Sequence, residues 1–333
     1  MTLLHINGFD HYDVNDFFKK TGWSENSVPA LLSGRFGGQS VSMSSSADYI
    51  RYDMGVNKTT IYVGFALMKN SGSSPSVSTN YPLFRSYDEE GTNQVLILVN
   101  ASHGFNAYRN TTLLGSSADN VIRSVFWEYV EIKITISATV GEVTMRVNGT
   151  QVLNLTSQNT KNGTDYIREI GLRSIYNGLV TYVDDLYIDD AQFNGDCRVR
   201  TFMPDADGNS SDFTRSGGSN DYECVDETLL NEDTDYIYSS TLNHKSIFGI
   251  TTGSVGTIKG IQLNNTVRDD AAGSRKITPI IRSNSTDYSG TETDQIAANY
   301  KVFYEIWETD PDDSNPWTQT KLEAAEFGLE ITT

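Results

Sequence analysis

The sequence has few cysteines and no long apolar run, and each of these shortages excludes a class of protein. Only two of its 333 residues are cysteine, too few for a domain held together by disulfides. No apolar run approaches the roughly 18 residues of a membrane-spanning helix, so we expect no membrane insertion. The first residues, Met1–Gly8, lack the basic and apolar regions of a secretory signal, and we therefore expect no export by that route.

Basic residues are also scarce relative to acidic ones. The chain has 43 Asp and Glu against 25 Lys and Arg, which gives a formal net charge of −18. A surface this acidic repels the phosphates of nucleic acids and of anionic lipids, so neither is expected as a partner. The same acidity is compatible with binding of a divalent cation, although a merely solvating acidic surface explains it equally well.

What the chain does have is short segments of alternating polar and apolar residues. Ile61, Val63, Phe65 and Leu67 alternate with other residues, as expected for a half-buried strand. The clearest stretch, 126–155, contains two alternating segments and then Asn148-Gly149, a dipeptide suited to a type I′ hairpin turn. Many such strands, separated by turn residues, predict an all-β protein built on a sandwich.

Composition changes near residues 194–207 and divides the chain. We predict a first domain over residues 1–195 and a second, smaller β-rich domain over 196–333. The segment Pro204–Asn220 is rich in Asp, Gly, Ser and Asn and is predicted to be a loop. Further strands are expected in the second domain, at residues 246–250, 256–263, 276–282, 300–308 and 328–332.

The order of features in residues 1–195 resembles the concanavalin-like lectin and glucanase superfamily, particularly its laminin-G-like branch. The resemblance rests on Gly8-Phe9-Asp10, on the strands of residues 127–155 and on the late segment Tyr182–Ile188. It implies a jelly-roll β-sandwich in which the late strand pairs beside the N-terminal strand. Phe9 and Leu186 would then share one core.

The second half is similar to a domain of tailed-phage structural proteins. The phrases that carry this similarity are Asp205–Gly208, Phe213-Thr214, Asn220–Tyr222, Val225–Glu227, Asp233–Ile237, Asp310-Pro311 and Pro316–Thr318. The resemblance implies a virion component, either a head decoration or a tail appendage. Its partners would be other virion proteins, further copies of itself and a polysaccharide of the host surface. It would be assembled in the host cytoplasm and released by lysis.

Catalysis has no visible apparatus in the sequence. Retaining glycoside hydrolysis needs two carboxylates about 5–5.5 Å apart, which requires acidic residues of equal parity on one strand. Glu128 and Glu131 have opposite parity in the best strand and are expected on opposite faces. The chain also lacks metal-ligand spacing of histidines and a nucleophile elbow. We therefore expect a protein that is not an enzyme, and treat a glycoside hydrolase as the least favoured alternative.

One acidic group is a candidate cation site. Asp184, Asp185, Asp189 and Asp190 flank a predicted strand, and carboxylate oxygens suit calcium. The resemblance to laminin-G-like domains also implies calcium. A solvated strand end is the other explanation. No cofactor is required by either explanation.

Exposed aromatic rings are the candidates for binding sugars, since they can stack on pyranose faces. The candidates in or beside predicted loops are Tyr81, Tyr87, Phe105, Tyr108 and Tyr176. Two functions then remain open: a virion protein that also binds glycans, and a lectin module whose only function is to bind glycans. Cys197 and Cys224 allow one bridge or two free thiols, and we expect free thiols.

Overall fold

The computed structural model describes residues 3–11, 13, 22–26, 30–45, 48–70, 82–175, 180–270 and 275–332. Two compact units are present: Met1–Asp10 with Gly22–Val199, and His11–Thr21 with Arg200–Thr333. The division along the chain thus falls after Val199, whereas the sequence placed it after Gly195. In the described ranges, no helix is long and apolar enough to cross a membrane.

The first unit consists of antiparallel strands. They are β1 (Leu3–Asn7), β2 (Trp23–Asn26), β3 (Ala30–Ser33), β4 (Gln39–Met43), β5 (Tyr49–Lys58), β6 (Thr60–Lys69), β7 (Phe84–Tyr87), β8 (Asn93–Val99), β9 (Phe105–Arg109), β10 (Thr112–Ser116), β11 (Glu128–Thr135), β12 (Gly141–Val147), β13 (Thr150–Gln158), β14 (Ile167–Arg173) and β15 (Thr181–Asp189). An eight-stranded sheet has the order β13-β12-β11-β6-β15-β4-β3, with β1 also paired to β15. A seven-stranded sheet has the order β10-β9-β8-β7-β14-β5-β2.

The inner faces of these two sheets form the core. Ile61, Val63 and Phe65 of β6 are fully buried, and so are Val95 and Ile97 of β8 in the other sheet. Each such side chain contributes about 1.5–3 kcal/mol by leaving water. The layers meet directly where the His5 ring of β1 stacks on the Tyr52 ring of β5, with centroids 4.1 Å apart. The predicted fold class, an all-β protein with a concanavalin-like jelly-roll sandwich, is confirmed.

The hairpin between β12 and β13 turns where the sequence predicts it. Asn148 and Gly149 both have positive φ, 48° and 78°, as a type I′ turn requires. The Asn148 side chain also supports the neighbouring strand, because its Oδ1 accepts a hydrogen bond from the Tyr129 backbone N–H at 2.8 Å. Asparagine therefore serves both the turn and the sheet here.

The predicted pairing of the late strand with the N-terminal strand is also confirmed. β1 lies antiparallel to β15, with Asn7 opposite Leu186. Phe9 and Leu186 are both fully buried. The late strand closes the eight-stranded sheet by lying between β6 and β4 while carrying β1 on its other half.

The second unit is also β-rich. Its strands are β16 (Ala206–Ser211), β17 (Thr214–Arg215), β18 (Ile237–Tyr238), β19 (Lys245–Gly249), β20 (Ile261–Val267), β21 (Lys276–Ser283), β22 (Thr286–Ser289), β23 (Lys301–Trp307) and β24 (Glu326–Thr332). They form a five-stranded sheet, β16-β19-β24-β21-β22, and two strand pairs, β17-β18 and β20-β23. The described part of this unit has one α-helix, Gln319–Ala324, whose Leu322 packs with Trp317 and Phe327.

The prediction of a loop at Pro204–Asn220 is wrong, because this segment contains the strands β16 and β17. β16 lies inside it and pairs with β19, with Asp207 opposite Phe248. The Asp207 carboxylate accepts hydrogen bonds from the backbone N–H groups of Asp221 and Tyr222, at 3.3 and 2.8 Å. β16 is an edge strand, so the backbone groups along one of its sides face no neighbouring strand. Polar residues that are typical of loops are tolerated in such a strand.

Candidate functional site

The outer face of the seven-stranded sheet carries a row of polar and aromatic residues. Along this row Arg51 of β5 is paired with Gly171 of β14, then Arg85 of β7, Leu96 of β8 and Tyr108 of β9. Directly paired residues share one face of a sheet. Residues one position away on the same strands, among them Tyr52, Ile170, Ile97 and Ala107, are buried in the core. Arg51, Arg85 and Tyr108 therefore point away from the core, on what we call the open face.

A second set of contacts organises the open face around a tyrosine. The Arg51 guanidinium lies 4.0 Å from the centroid of the Tyr87 ring and forms an ion pair with Glu169. Gly171 makes room for this arrangement, since a β-carbon there would lie 3.2 Å from the Tyr87 ring. Arg173 lies over the Tyr49 ring in the same way, at 5.6 Å.

These side chains are accessible without being fully solvated. The side chains of Arg51 and Glu169 are 25% and 17% exposed. A guanidinium held by an aromatic ring and a carboxylate loses little further entropy on binding a ligand. The face therefore offers fixed donors, a carboxylate acceptor and ring edges, a set of groups that suits hydroxyl-rich ligands.

The predicted sugar-binding aromatics have different locations. Tyr87 and Tyr108 lie on the open face, the first mostly buried beneath Arg51 and the second half-buried. Phe105 begins β9 with its ring in the core and fully buried, so it presents no surface to a sugar. Tyr81 and Tyr176 lie outside the described residues. The sequence reasoning missed the arginines of this face, although strand parity places Arg51 and Arg85 opposite to core residues.

Asp184 and Asp185 lie within β15 and are buried, in contrast to the exposed strand end that was one expectation. Asp184 Oδ2 accepts a hydrogen bond from the Arg35 backbone N–H at 2.7 Å. Asp185 Oδ1 accepts one from the Val199 backbone N–H at 2.8 Å. Desolvation raises the pKa of Asp184 to about 7 and the pKa of Asp185 to about 6. The negative charge of Asp185 raises the pKa of Asp184 further.

Asp189 and Asp190 are engaged separately. Asp189 Oδ1 accepts hydrogen bonds from the backbone N–H groups of Ala191 and Gln192, at 2.7 and 3.1 Å. Asp190 accepts one from the Lys58 ammonium at 2.7 Å. Among the residues that the structure describes, no three His, Cys, Asp or Glu side chains are arranged to hold a metal ion. Each of the four aspartates accepts a hydrogen bond from another group of the chain.

The two carboxylates of β11 are on opposite faces, as their parity predicts. Glu128 is paired with Leu67 of β6, whereas Glu131 is paired with Gly64. Glu131 is fully buried, and its Oε1 accepts hydrogen bonds from the Tyr187 hydroxyl at 2.6 Å and the Gly195 backbone N–H at 2.8 Å. The geometry of a retaining glycosidase is not met by this pair.

Both cysteines carry free thiols, Cys197 half-buried in the first unit and Cys224 buried in the second.

Neither a known protein family nor a curated protein matches the sequence. Among solved structures, the chain is similar to carbohydrate-binding module CBM66 from Bacillus subtilis, at 11% identity and TM-score 0.34, over 51% of this chain and 97% of the module. It is similar to domain 4 of an extracellular arabinanase from Geobacillus stearothermophilus, solved with arabinotriose, at 13% identity and TM-score 0.37, over 56% of this chain and 91% of that domain.

A sialidase is also similar, at 11% identity and TM-score 0.38. That match covers 58% of this chain and only 19% of the sialidase. At these identities and TM-scores, the similarities carry no information about a ligand or an activity of this chain.

Proposed function

We propose that the first unit is a non-enzymatic, lectin-like module that binds carbohydrate on its open face. The observation that carries this proposal is the Arg51–Tyr87–Glu169 contact set, which lies in line with Arg85 and Tyr108 across neighbouring strands. Guanidinium groups donate to sugar hydroxyls, a carboxylate accepts from them, and tyrosine rings contact the apolar faces of sugars.

The size of the face favours an oligosaccharide over a single sugar. The row from Arg51 to Tyr108 crosses five strands of the sheet. At about 4.8 Å between neighbouring strands, this corresponds to roughly 20 Å. An oligosaccharide of that length can make several weak contacts at once, and their sum raises its affinity. Such binding suits a polysaccharide on a cell surface.

Glycan binding is tested with the purified full-length chain on an array of bacterial surface polysaccharides, with and without calcium. We expect at least one ligand, and we expect its dissociation constant to rise about tenfold in Arg51→Gln, because one charged hydrogen-bonding group is lost. The matched control is Arg268→Gln in the second unit, where an arginine of similar exposure also pairs with a carboxylate, Asp233. An array without ligands, or equal effects of both substitutions, would overturn the proposal.

The absence of catalysis belongs to the same proposal. It is supported by the opposite faces of Glu128 and Glu131 and by the internal hydrogen bonds of Glu131. Incubation of each bound polysaccharide with the protein, followed by a reducing-end assay, should show no new chain ends. Release of chain ends that persists through a second purification step would establish an enzyme.

A virion role is the finer part of the proposal. It is supported by the phage-like phrases of the second half, among them Asp205–Gly208 and Pro316–Thr318. In this role the module joins other virion proteins in several copies and attaches the particle to a host polysaccharide. Mass spectrometry of purified particles should detect the chain, and immunogold labelling should place it on head or tail. Absence of the chain from purified particles would reject the virion role and favour the alternative, a stand-alone lectin.

A further inference from the structure

A shallow cavity lies on the outer side of the other, eight-stranded sheet. Its floor consists of Tyr62 of β6, Lys133 of β11, and Thr144 and Arg146 of β12, and its wall is the segment 191–193 that follows β15. Its volume is about 420 Å³. This is in the range of cavities that hold small ligands.

The cavity wall is fixed by the end of β15. The Asp189 carboxylate accepts hydrogen bonds from the backbone N–H groups of Ala191 and Gln192, so the chain turns back over the sheet. Phe193 then lies edge-to-face with Tyr62, with ring centroids 5.0 Å apart and planes at 88°. The shape of the cavity is therefore set by internal contacts and needs no ligand to form.

Arg146 is the distinctive group of this cavity. Its guanidinium lies 4.1 Å from the centroid of the Phe193 ring. Among the described residues, Arg146 forms neither an ion pair nor a hydrogen bond through its side chain. In a chain with a net charge of −18, a half-buried arginine without a carboxylate partner is unexpected.

The neighbouring charges are already paired. Lys133 forms an ion pair with Glu142. Glu131, which faces Arg146 across β11 and β12, is turned towards Tyr187 and Gly195. Arg146 is consequently the cation that remains available to a ligand in the cavity.

We propose that this cavity binds the carboxylate of a sugar acid, a hexuronate, through Arg146. A planar guanidinium binds a carboxylate through two parallel hydrogen bonds, and the Phe193 ring holds it ready for this geometry. The Gln192 side chain and the Thr144 hydroxyl, which itself donates to Asn154 Oδ1 at 3.0 Å, are the uncharged polar groups of the cavity lining that the sugar hydroxyls would meet. The site is separate from the open face, and the proposal does not depend on the proposed function.

The test uses the full-length chain, isothermal titration and three probes: D-glucuronate, D-glucose and inorganic sulfate. We expect glucuronate to bind and its dissociation constant to rise on the order of tenfold in Arg146→Gln. Phe193→Leu, which keeps the arginine but removes the ring, should weaken binding by a smaller factor. Glucose should bind more weakly than glucuronate by a similar tenfold factor, and added salt should weaken glucuronate binding.

Other outcomes overturn the proposal. Equal binding of glucose removes the role of the carboxylate, and equal binding of sulfate shows an anion site without selectivity for a sugar. Glucuronate binding that survives Arg146→Gln but is lost in Arg51→Gln assigns the ligand to the open face. Conversely, binding that depends on Arg146 in a protein without ligands on the glycan array would uphold this site while the proposed function fails.

Discussion

The two outer faces of the sandwich differ in what lies over them. On the open face, Arg51, Arg85 and Tyr108 are partly accessible. On the outer face of the eight-stranded sheet, Glu131 and Tyr187 are buried beneath the segment 194–199, and the Arg35 guanidinium lies over the buried Tyr129 ring; we call this part of the sheet the covered face. Outward-pointing polar residues are thus partly accessible on the open face, whereas those beneath the segment 194–199 are buried and structural.

The covered face is held together by hydrogen bonds to buried groups. The Tyr187 hydroxyl donates to Glu131 and accepts from the Asn194 backbone N–H at 3.0 Å, while the Tyr129 hydroxyl donates to the Asp185 carbonyl at 2.9 Å. Burial, followed by the nearby carboxylate of Glu131, raises the pKa of Tyr187. These tyrosines are therefore neutral, structural groups, in contrast to the tyrosines stacked with arginines on the open face.

The largest expected effect comes from truncating a tyrosine on each face. Tyr187→Ala removes a buried ring and one of the two hydrogen bonds that the Glu131 carboxylate accepts, so we expect the free energy of unfolding to fall by about 3–5 kcal/mol. Tyr108→Ala, on the open face, should cost less than about 1 kcal/mol, because the ring is half-exposed. Urea denaturation measures both. Similar losses would show that the two faces do not differ as described.

Crowding on the covered face should give the next largest effect. A β-carbon at Gly64 would lie 2.1 Å from the Tyr187 ring, which lies directly over this glycine. Gly64→Ala should therefore lower the free energy of unfolding by about 1–3 kcal/mol. Gly256→Ala is the control, since no atom lies within 4 Å of a β-carbon there. An unchanged melting midpoint in Gly64→Ala would contradict the close packing of Tyr187.

The buried aspartates of the covered face predict a pH dependence. The folded-state pKa values of Asp184 and Asp185, about 7 and about 6, lie above the ordinary value of 3.8. Between about pH 4 and pH 7 the folded state binds more protons than the unfolded state, so these groups make stability fall as pH rises, by up to about 1.4 kcal/mol per pH unit for each proton.

Comparison of the wild type with Asp184→Asn by urea denaturation at several pH values isolates this contribution. The free energy of unfolding of the variant should change less with pH between about pH 4 and pH 7 than that of the wild type. Asp53→Asn on the open face, which removes a carboxylate whose side chain is 48% exposed, is the matched control. Equal slopes for the wild type and Asp184→Asn would contradict the assignment.

The smallest expected effect is at the exposed end of the covering segment. Arg35 forms two hydrogen bonds with Asp196, whose side chain is 45% exposed. Exposed ion pairs contribute about 0–1 kcal/mol, so Asp196→Asn should lower the free energy of unfolding by less than about 1 kcal/mol. A loss as large as that of Tyr187→Ala would mean that the segment is held mainly at this end.

Local sequence pattern predicted β6, the strands β11 to β13 and the turn at Asn148-Gly149, because alternation and positive φ are properties of neighbouring residues. It did not predict β16, since an edge strand next to the Lys245–Gly249 strand tolerates the Asp, Gly and Ser residues that are typical of loops. The candidate site was recovered in part. Tyr87 and Tyr108 were selected from the sequence, whereas Arg51 and its contacts were not.

The sequence by itself determined that this is an acidic, all-β chain whose late strand pairs with its first, since these properties follow from composition, alternation and a recognisable order of segments. Only the tertiary structure decided which outer face is open. Strand parity shows that Glu131 and Arg51 both point away from the core, but not that the segment 194–199 lies over one of them. That distinction depends on contacts between residues far apart in the chain, and it decides which outward-pointing groups are buried.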